Sequence, residues 1–198
     1  EWHMPAHMVN AYYDPQQNQI VFPAAILQAP FYALEQSSSA NYGGIGAVIA
    51  HEISHAFDTN GASFDENGSL KNWWTDADYA AFKERTDKVV EQFDGLDFAG
   101  GKINGKLTVS ENVADLGGLA CALEAAKKDA DFSAEDYFIN FATIWRMKAR
   151  EEYLQLLISI DVHAPGKLRT NVQVANFDEF FATFAVKEGD GMWRAPED

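Results

Sequence analysis

The most regular hydrophobic pattern of the chain lies in its second quarter. Apolar side chains recur there at Ile45, Val48, Ile49 and Ile53, and again at Ala56 or Phe57. This 3.6-residue spacing predicts a helix that packs along one side, and Asn60-Gly61 supplies a stop signal. Three glycines, Gly43, Gly44 and Gly46, lie at the start of this stretch. In a soluble helix they indicate close packing or a substrate that passes over the backbone.

Four more helices are predicted from periodicity and capping residues. Their expected extents are Thr75, with Asp78, to about Phe93; Ser110 through Leu119; Ser133, with Asp136, to roughly Ile160; and a last helix from Asn176 with Glu179. Each start offers a side chain that can accept a hydrogen bond from the first turn. A mostly helical chain is therefore expected.

Two hairpins complete the expected structure. Residues 7–14 alternate and are rich in aromatic and β-branched side chains, and residues 19–22 follow a run of turn formers, which predicts a hairpin. Its edge strand would accept an extended peptide as an added strand. Asn104-Gly105, between Lys102-Ile103 and Lys106-Leu107, predicts a second hairpin turn. The predicted fold class is α+β, mostly helical, with a small sheet region.

Composition fits one folded domain over residues 1–198. Hydrophobic residues make up 47% of the chain and aromatic residues 13%, enough for a substantial core. The formal net charge of −15 argues against nucleic acid as a partner, because phosphates require a basic face. No apolar run reaches the length of about 18–20 residues that would span a bilayer. The single cysteine, Cys121, is expected to be a small core residue.

The stretch from His51 to His55, His-Glu-Ile-Ser-His, carries the strongest chemical signal. Positions i and i+4 share one face of a helix, so the two imidazoles can hold one Zn²⁺ at about 2.0–2.1 Å each. Glu52 is then free to act on a water molecule, which is the arrangement of a metalloprotease. The alternative is a core helix with two hydrogen-bonded histidines.

A third ligand is available in the helix predicted to start at Ser110. Glu111 would lie in its first turn and Asp115 one turn further along the same face. Glu111 can then bind the metal while Asp115 fixes the tautomer of a ligand histidine. Two histidines and a glutamate leave a fourth tetrahedral position for water. The alternative for Glu111 is an acid placed there by the helix dipole.

Several motifs in the same order resemble the neprilysin-like (M13) zinc metallopeptidases, in particular their bacterial oligopeptidase branch. They are residues 9–13 (VNAYY), 18–24 (NQIVFPA), 49–58 (IAHEISHAFD), 111–118 (ENVADLGG) and 163–166 (HAPG), with Arg169 after the last. The resemblance runs through nearly all of the chain and implies a thermolysin-like zincin architecture.

The resemblance implies a role for each matching residue. Those at the metal are the zinc ligands His51, His55 and Glu111, the general base Glu52, and the carboxylates Asp115 and Asp58 that orient the histidines, around one Zn²⁺ per chain. At the substrate, the resemblance implies that His163 stabilises the oxyanion, Arg169 binds a substrate carbonyl, and Asn10 and Ala11 bind the peptide backbone. It also implies an apolar pocket for the residue after the scissile bond, lined by Ile26, Phe31, Ala47, Val48, Ile144 and Trp145.

For several of these residues the sequence also allows a purely structural role. His163 also suits an ordinary His-Ala-Pro-Gly turn, and Ile144 and Trp145 also suit a hydrophobic core. His3 and His7 are four residues apart as well. Pro5 between them disfavours a shared helical face, so no metal site is expected there.

The resemblance also implies a piece of a larger protein. Members of the family carry a mostly helical N-terminal portion that covers the cleft and restricts substrates to small peptides, and residues 191–198 resemble the closing segment without its last hydrophobic residues. The expected partners are therefore oligopeptide substrates and this missing portion of the same protein.

Vertebrate secreted relatives are cysteine-rich, so a single cysteine favours a bacterial cytoplasmic protein, with an extracellular or surface location as the alternative.

Three functions are left open by the sequence. The first is a zinc-dependent endopeptidase that acts on small peptides with an apolar residue after the scissile bond. The second is a peptide-binding fragment that retains zinc but has little turnover. The third is a structural zinc domain, which needs a fourth protein ligand and no open coordination position.

Overall fold

A computed structural model describes residues 2–195, so Glu1 and the last three residues of the predicted closing segment, 196–198, lie outside the described part. The helices are α1 (Ser38–Asn41), α2 (Ala47–Ser54), α3 (Asp76–Phe93), α4 (Gly105–Ala126), α5 (Ala134–Ile144), α6 (Glu151–Ile160), α7 (Gly166–Val174) and α8 (Asp178–Phe184). The strands are β1 (Tyr12–Asp14), β2 (Gln19–Val21), β3 (Asp97–Phe98) and β4 (Gly101–Lys102). The expected α+β, mostly helical fold class is confirmed.

The first predicted hairpin forms near the start of the chain. Strands β1 and β2 pair antiparallel, with Tyr12 opposite Val21 and Asp14 opposite Gln19. Among the described residues this sheet has two strands only, so β1 keeps one edge without a strand partner.

The second predicted hairpin is wrong in its position. The turn lies at Ala99-Gly100, where both residues have positive φ, between β3 and β4. Asn104 instead caps α4, with its side-chain oxygen accepting from the amide of Leu107 at 3.1 Å. Asparagine serves both turns and caps. Gly105 is required by packing, because a Cβ there would overlap the carbonyl oxygen of Val90.

The start of α4 was therefore predicted too late. The helix begins at Gly105 rather than after Ser110, which places Glu111 in its second turn. Helix α3 agrees with its prediction, since it spans Asp76–Phe93 and Thr75 accepts a cap hydrogen bond from the amide of Asp78.

The long helix predicted from Ser133 to Ile160 is two helices. Ser133 caps α5 as predicted, but α5 ends at Ile144 and α6 begins only after Arg150, whose backbone is extended. Residues 145–150 contain neither glycine nor proline, so no strong breaker announced the interruption. The last helix, α8, begins at Asp178 and not at Asn176, whose side chain donates to carbonyl oxygens at the end of α7.

Helix α2 continues a wide π-helical turn, Tyr42–Gly46, and passes into a short 3-10 turn, His55–Phe57. The glycines of the wide turn allow close packing. A Cβ on Gly43 would overlap the backbone of Tyr137, and one on Gly44 would overlap that of Phe31.

Helices α2 and α4 pack directly against each other in the centre of the molecule. A Cβ on Gly118 would stand only 2.7 Å from the backbone nitrogen of His51, so glycine is what lets the two backbones approach. The main core continues behind them through Leu119, Leu123, Tyr137, Phe138 and Phe141. Cys121 does not belong to it: the prediction of a core residue is wrong, because this position of α4 faces outward.

No helix in the described part of the chain combines the length and apolarity needed to cross a bilayer.

Candidate metal centre and active site

Helix α2 brings the two motif histidines together at its C-terminal end. His51 lies in the last full turn of α2, and His55 starts the 3-10 turn that follows. Their Nε2 atoms stand 2.9 Å apart with the rings edge to face. Both imidazoles thus point their outer nitrogens at one spot.

Helix α4 supplies a carboxylate to the same spot. Oε2 of Glu111 lies 3.3 Å from Nε2 of His51 and 3.5 Å from Nε2 of His55. This oxygen is buried and has no ordinary hydrogen-bond partner. Three donor atoms from two helices therefore converge, although α4 starts earlier than the sequence suggested.

A carboxylate holds the inner nitrogen of each histidine. Nδ1 of His51 is 2.8 Å from Oδ1 of Asp115, and Nδ1 of His55 is 2.6 Å from Oδ2 of Asp58. A proton on each Nδ1 leaves each Nε2 lone pair free to bind a cation.

Charge is concentrated around Glu111 in the metal-free chain. Burial would raise the pKa of its carboxyl, but the close imidazole nitrogens of His163, His51 and His55 hold that pKa far below its usual range. Burial likewise would lower the pKa of His55, yet its bonds to Asp58 and Glu111 raise the value to about 10. The pKa of His51 is raised in the same way, because Asp115 and Glu111 outweigh burial. A cation bound here would therefore compete with protons for the histidine nitrogens.

These residues fit a zinc ion. Ligands about 2.0–2.1 Å from a tetrahedral centre stand about 3.3–3.4 Å from one another, and the three donor atoms are separated by 2.9, 3.3 and 3.5 Å. Two imidazoles and one carboxylate are a donor set that zinc accepts. His51, His55 and Glu111 would hold it.

Glu52 lies beside the donor atoms on α2. It is 5% exposed, and one of its oxygens lies within 4.8 Å of ligand atoms of both histidines. Burial raises the pKa of its carboxyl. A carboxyl whose pKa moves towards neutrality can both accept and return a proton.

His163 reaches the same centre from the loop before α7. Its Nε2 lies 3.1 Å from Oε2 of Glu111, and its Nδ1 lies 2.7 Å from Oδ1 of Asp161. Burial lowers the pKa of His163, but the bonds to Glu111 and Asp161 raise it overall. The histidine therefore faces the metal centre, which an ordinary turn would not require.

Arg169 is buried behind the site. Its Nε and Nη2 donate to the two oxygens of Asp115 at 2.7 and 2.6 Å, and its guanidinium carbon lies 3.8 Å from the ring centre of Trp145. Two of its nitrogens are thus committed within the protein, and its role in binding a substrate carbonyl stays a prediction.

A cleft of about 870 Å³ runs past these side chains. All the predicted substrate-binding residues line it: Asn10, Ala11, Ile26, Phe31, Ala47, Val48, Ile144, Trp145 and Arg169. Asn10 bonds locally, with its side-chain oxygen accepting from the amide of Ala11 at 2.9 Å. Ile144 and Trp145 combine both interpretations, since they line the cleft and also pack on the main core. The roles of these residues stay predictions.

His3 and His7 are both exposed and lie outside any helix. The ring of His3 stacks on Tyr12.

Three residues of the site were not anticipated. Ser110 and Asn60 surround Asp58, and Asp161 holds His163. Asp161 stands two residues before its histidine, a spacing from which the contact was predictable. Ser110 was assigned to a helix cap, which concealed its side-chain contact.

Comparisons with known proteins agree with this geometry. The pattern of Peptidase family M13 matches residues 10–198. The neutral endopeptidase of Lactococcus lactis is 62% identical over 196 residues, which cover 99% of this chain and 31% of the relative. Human neprilysin is 41% identical over 208 aligned residues, covering 97% of this chain and 28% of its own length. The chain thus spans about a third of the length of these relatives.

Solved structures show the same fold. PepO from Lactobacillus rhamnosis superposes with a TM-score of 0.94 at 48% identity, over 100% of this chain and 31% of the other. A zinc metalloprotease of Mycobacterium tuberculosis in complex with inhibitor gives a TM-score of 0.95 at 40% identity, over 100% of this chain and 33% of the other. With a family pattern that covers nearly the whole chain and relatives well above 30% identity, this chain belongs to Peptidase family M13.

Proposed function

We propose that the chain carries the active site of a zinc-dependent endopeptidase that hydrolyses oligopeptides. The observation that supports this most directly is the convergence of His51, His55 and Glu111 at a cleft, with the Glu52 carboxylate beside them. Membership of the family agrees with it. Since the chain spans about a third of its relatives, the activity of a longer protein is part of the proposal.

The protein groups divide the chemistry among them. When bound, zinc lowers the pKa of a water molecule and polarises a peptide carbonyl. Glu52 accepts the proton of the attacking water and returns it to the leaving amine, a role that suits a buried carboxyl with a raised pKa. Asp115 and Asp58 keep the two imidazoles oriented throughout.

His163 stabilises the charge that develops on the carbonyl oxygen. Burial lowers the pKa of His163, but Glu111 and Asp161 outweigh it and raise the pKa, which favours a protonated, donating ring. With Nδ1 bonded to Asp161, Nε2 is the nitrogen that donates into the cleft. A preorganised donor of this kind contributes about 2.7–4 kcal/mol to catalysis.

The substrate lies extended along the cleft. The unpaired edge of β1 offers backbone groups that bind any peptide sequence, and Asn10 and Ala11 stand just before it. Selectivity falls to the apolar wall made by Ile26, Phe31 and Val48, which suits a bulky hydrophobic side chain after the scissile bond.

Glu52→Gln tests the proposal. The parent chain should bind about one zinc and cleave small peptides, and the variant should keep the zinc and lose cleavage. Metal analysis and a peptide-hydrolysis assay on the same samples measure both. A variant that cleaves as well as the parent would show that Glu52 is not the base. A parent that binds no zinc would refute the proposal as a whole.

The second candidate is a peptide-binding fragment that retains zinc with little turnover. The short span relative to the relatives favours keeping it, because a site more open to water loses alignment and electrostatic strength. Peptide affinity measured beside hydrolysis separates the two: this candidate predicts binding with no metal-dependent cleavage.

A further inference from the structure

Asp58 is held by four hydrogen-bond donors. Its side chain is 2% exposed. Oδ1 accepts from the backbone amides of Asn60 and Gly61, both at 2.7 Å. Oδ2 accepts from Nδ1 of His55 and from the hydroxyl of Ser110, both at 2.6 Å. Each oxygen therefore has two donors, and the carboxylate has no freedom to turn.

Ser110 is the one donor of the four that lies on α4, whereas the other three lie within three residues of Asp58 in the chain. It is 8% exposed and immediately precedes Glu111 on α4. The side-chain amide of Asn60 donates to its oxygen at 3.0 Å. A hydroxyl has one hydrogen to donate. Because Asn60 donates to the serine oxygen and the nearest acceptor for the hydroxyl is Oδ2 of Asp58 at 2.6 Å, that hydrogen points at Asp58.

These contacts join two candidate ligands that belong to different helices. His55 is bound to Asp58, Asp58 to Ser110, and Ser110 is the chain neighbour of Glu111. Asp115 makes the corresponding link for His51 from within α4 itself. Without Ser110, nothing on α4 among the described contacts holds the Asp58 carboxylate.

We propose that Ser110 is a positioning residue for metal binding: its hydroxyl, oriented by Asn60, fixes Asp58 and so sets the orientation of His55 relative to Glu111. The proposal rests on the metal site of the proposed function. It concerns a hydroxyl that touches neither metal nor substrate and acts only through the carboxylate.

The expected effect is a loss of metal affinity. Removing groups that orient metal ligands weakens binding by about 10–100-fold. Ser110→Ala takes away one of four donors, so the zinc dissociation constant should rise about tenfold and zinc should transfer faster to excess chelator. Ser110→Thr keeps the hydroxyl and should restore most of the affinity.

Thr108→Val is the matched control. Thr108 lies on the same helix, is 4% exposed, and bonds through its hydroxyl to Asn112 and Asn104, not to Asp58. Its loss should lower the stability of the fold and leave zinc affinity unchanged. Competition with a chromophoric chelator measures affinity, and thermal unfolding of the metal-free variants measures stability.

Asn60→Ala gives a second route, because Asn60 is exposed and its loss should disturb the fold less than the loss of the buried Ser110 hydroxyl. It should weaken zinc binding in the same direction but less than Ser110→Ala, and the double variant should be no weaker than Ser110→Ala alone. Zinc affinity within twofold of the parent in Ser110→Ala overturns the proposal, as does an equal loss in Thr108→Val. If Ser110→Ala does not fold, unchanged affinity in Asn60→Ala overturns it.

Hydrolysis takes no part in these measurements. A parent that binds zinc and cleaves nothing would refute the endopeptidase and leave the role of Ser110 standing. If the parent cleaves peptides and Ser110→Ala binds zinc as tightly as the parent, the endopeptidase is supported and the role of Ser110 is refuted.

Discussion

The guanidinium of Arg169 spans both carboxylate oxygens of Asp115, from Nε to Oδ2 at 2.7 Å and from Nη2 to Oδ1 at 2.6 Å. The two residues are 7% and 3% exposed. Burial would raise the pKa of Asp115, but the cation beside it lowers that pKa to about 2. A buried positive charge thus keeps ionised the carboxylate that holds His51.

Removing this cation should destabilise the fold strongly. Arg169→Met leaves the buried Asp115 charge with His51 as its one remaining partner among the described contacts, and breaking a buried ion pair typically costs about 3–5 kcal/mol. Denaturant unfolding of the metal-free protein measures the loss. Arg85→Met, at an exposed position of α3, is the control and should change stability by less than about 0.5 kcal/mol. A loss below about 1 kcal/mol at Arg169 would mean that the pair is not a buried ion pair in solution.

The contact between α2 and α4 should not tolerate a methyl group at Gly118. A Cβ there would stand 2.7–2.9 Å from backbone atoms of His51 and Ala47, so Gly118→Ala should cost about 1–3 kcal/mol by overpacking and should weaken zinc binding by moving His51. Gly117→Ala is the neighbouring control, because its Cβ would stand 2.7 Å from Oγ of Ser54, a side chain that can turn aside, and would meet no backbone atom. Denaturant unfolding and zinc titration of both variants test this. Equal losses of stability and of zinc affinity in Gly117→Ala and Gly118→Ala would contradict the prediction.

His163→Phe should reduce turnover while zinc stays bound. The oxyanion role predicts a fall in kcat of about 10²–10³ with KM little changed. Peptide kinetics and metal content measured on one preparation test this. His7→Phe, at an exposed position outside the cleft, should behave as the parent. A loss confined to KM would instead assign His163 to substrate binding.

Thr75→Ala should lower stability without touching the site. The Thr75 oxygen accepts from the amide of Asp78 at the start of α3, and loss of such a cap costs about 1 kcal/mol. Thermal unfolding should show this loss, and zinc affinity should match the parent. Thr75→Ser keeps the oxygen and should be nearly neutral. If zinc affinity falls in Thr75→Ala, α3 is coupled to the metal centre in a way the contacts do not suggest.

The sequence predicted the chemistry of the site better than its supporting structure. Local spacing placed His51 and His55 on one helical face, and the structure brings their nitrogens together. The position of Glu111 at the metal centre agrees with the prediction, although its helix starts at Gly105. Glu111 and Asp115 are four residues apart and share one helical face wherever the helix begins.

The failures have a common physical origin in long-range packing. Asn104 suits a hairpin turn or a helix cap equally, and only the approach of Gly105 to Val90 selects the cap. The break between α5 and α6 has no glycine or proline to mark it. Cys121 is small and apolar, and only the burial of the other faces of α4 turns it outward. The cytoplasmic location stays a prediction.

The wide turn at Tyr42–Gly46 determines where the chain can gain or lose a residue before the metal centre. Each helical residue adds about 100° of rotation, and a π turn takes up one residue more than an α turn. The wide turn therefore takes up its extra residue with little change in the angular phase of α2 relative to the preceding α1, which is anchored on α5. A one-residue deletion within the turn would close it into ordinary helix and leave both imidazoles facing Glu111, whereas a one-residue deletion inside α2 before His51 would swing them about 100° away. Spacing is therefore strict within α2 and relaxed in the turn that precedes it.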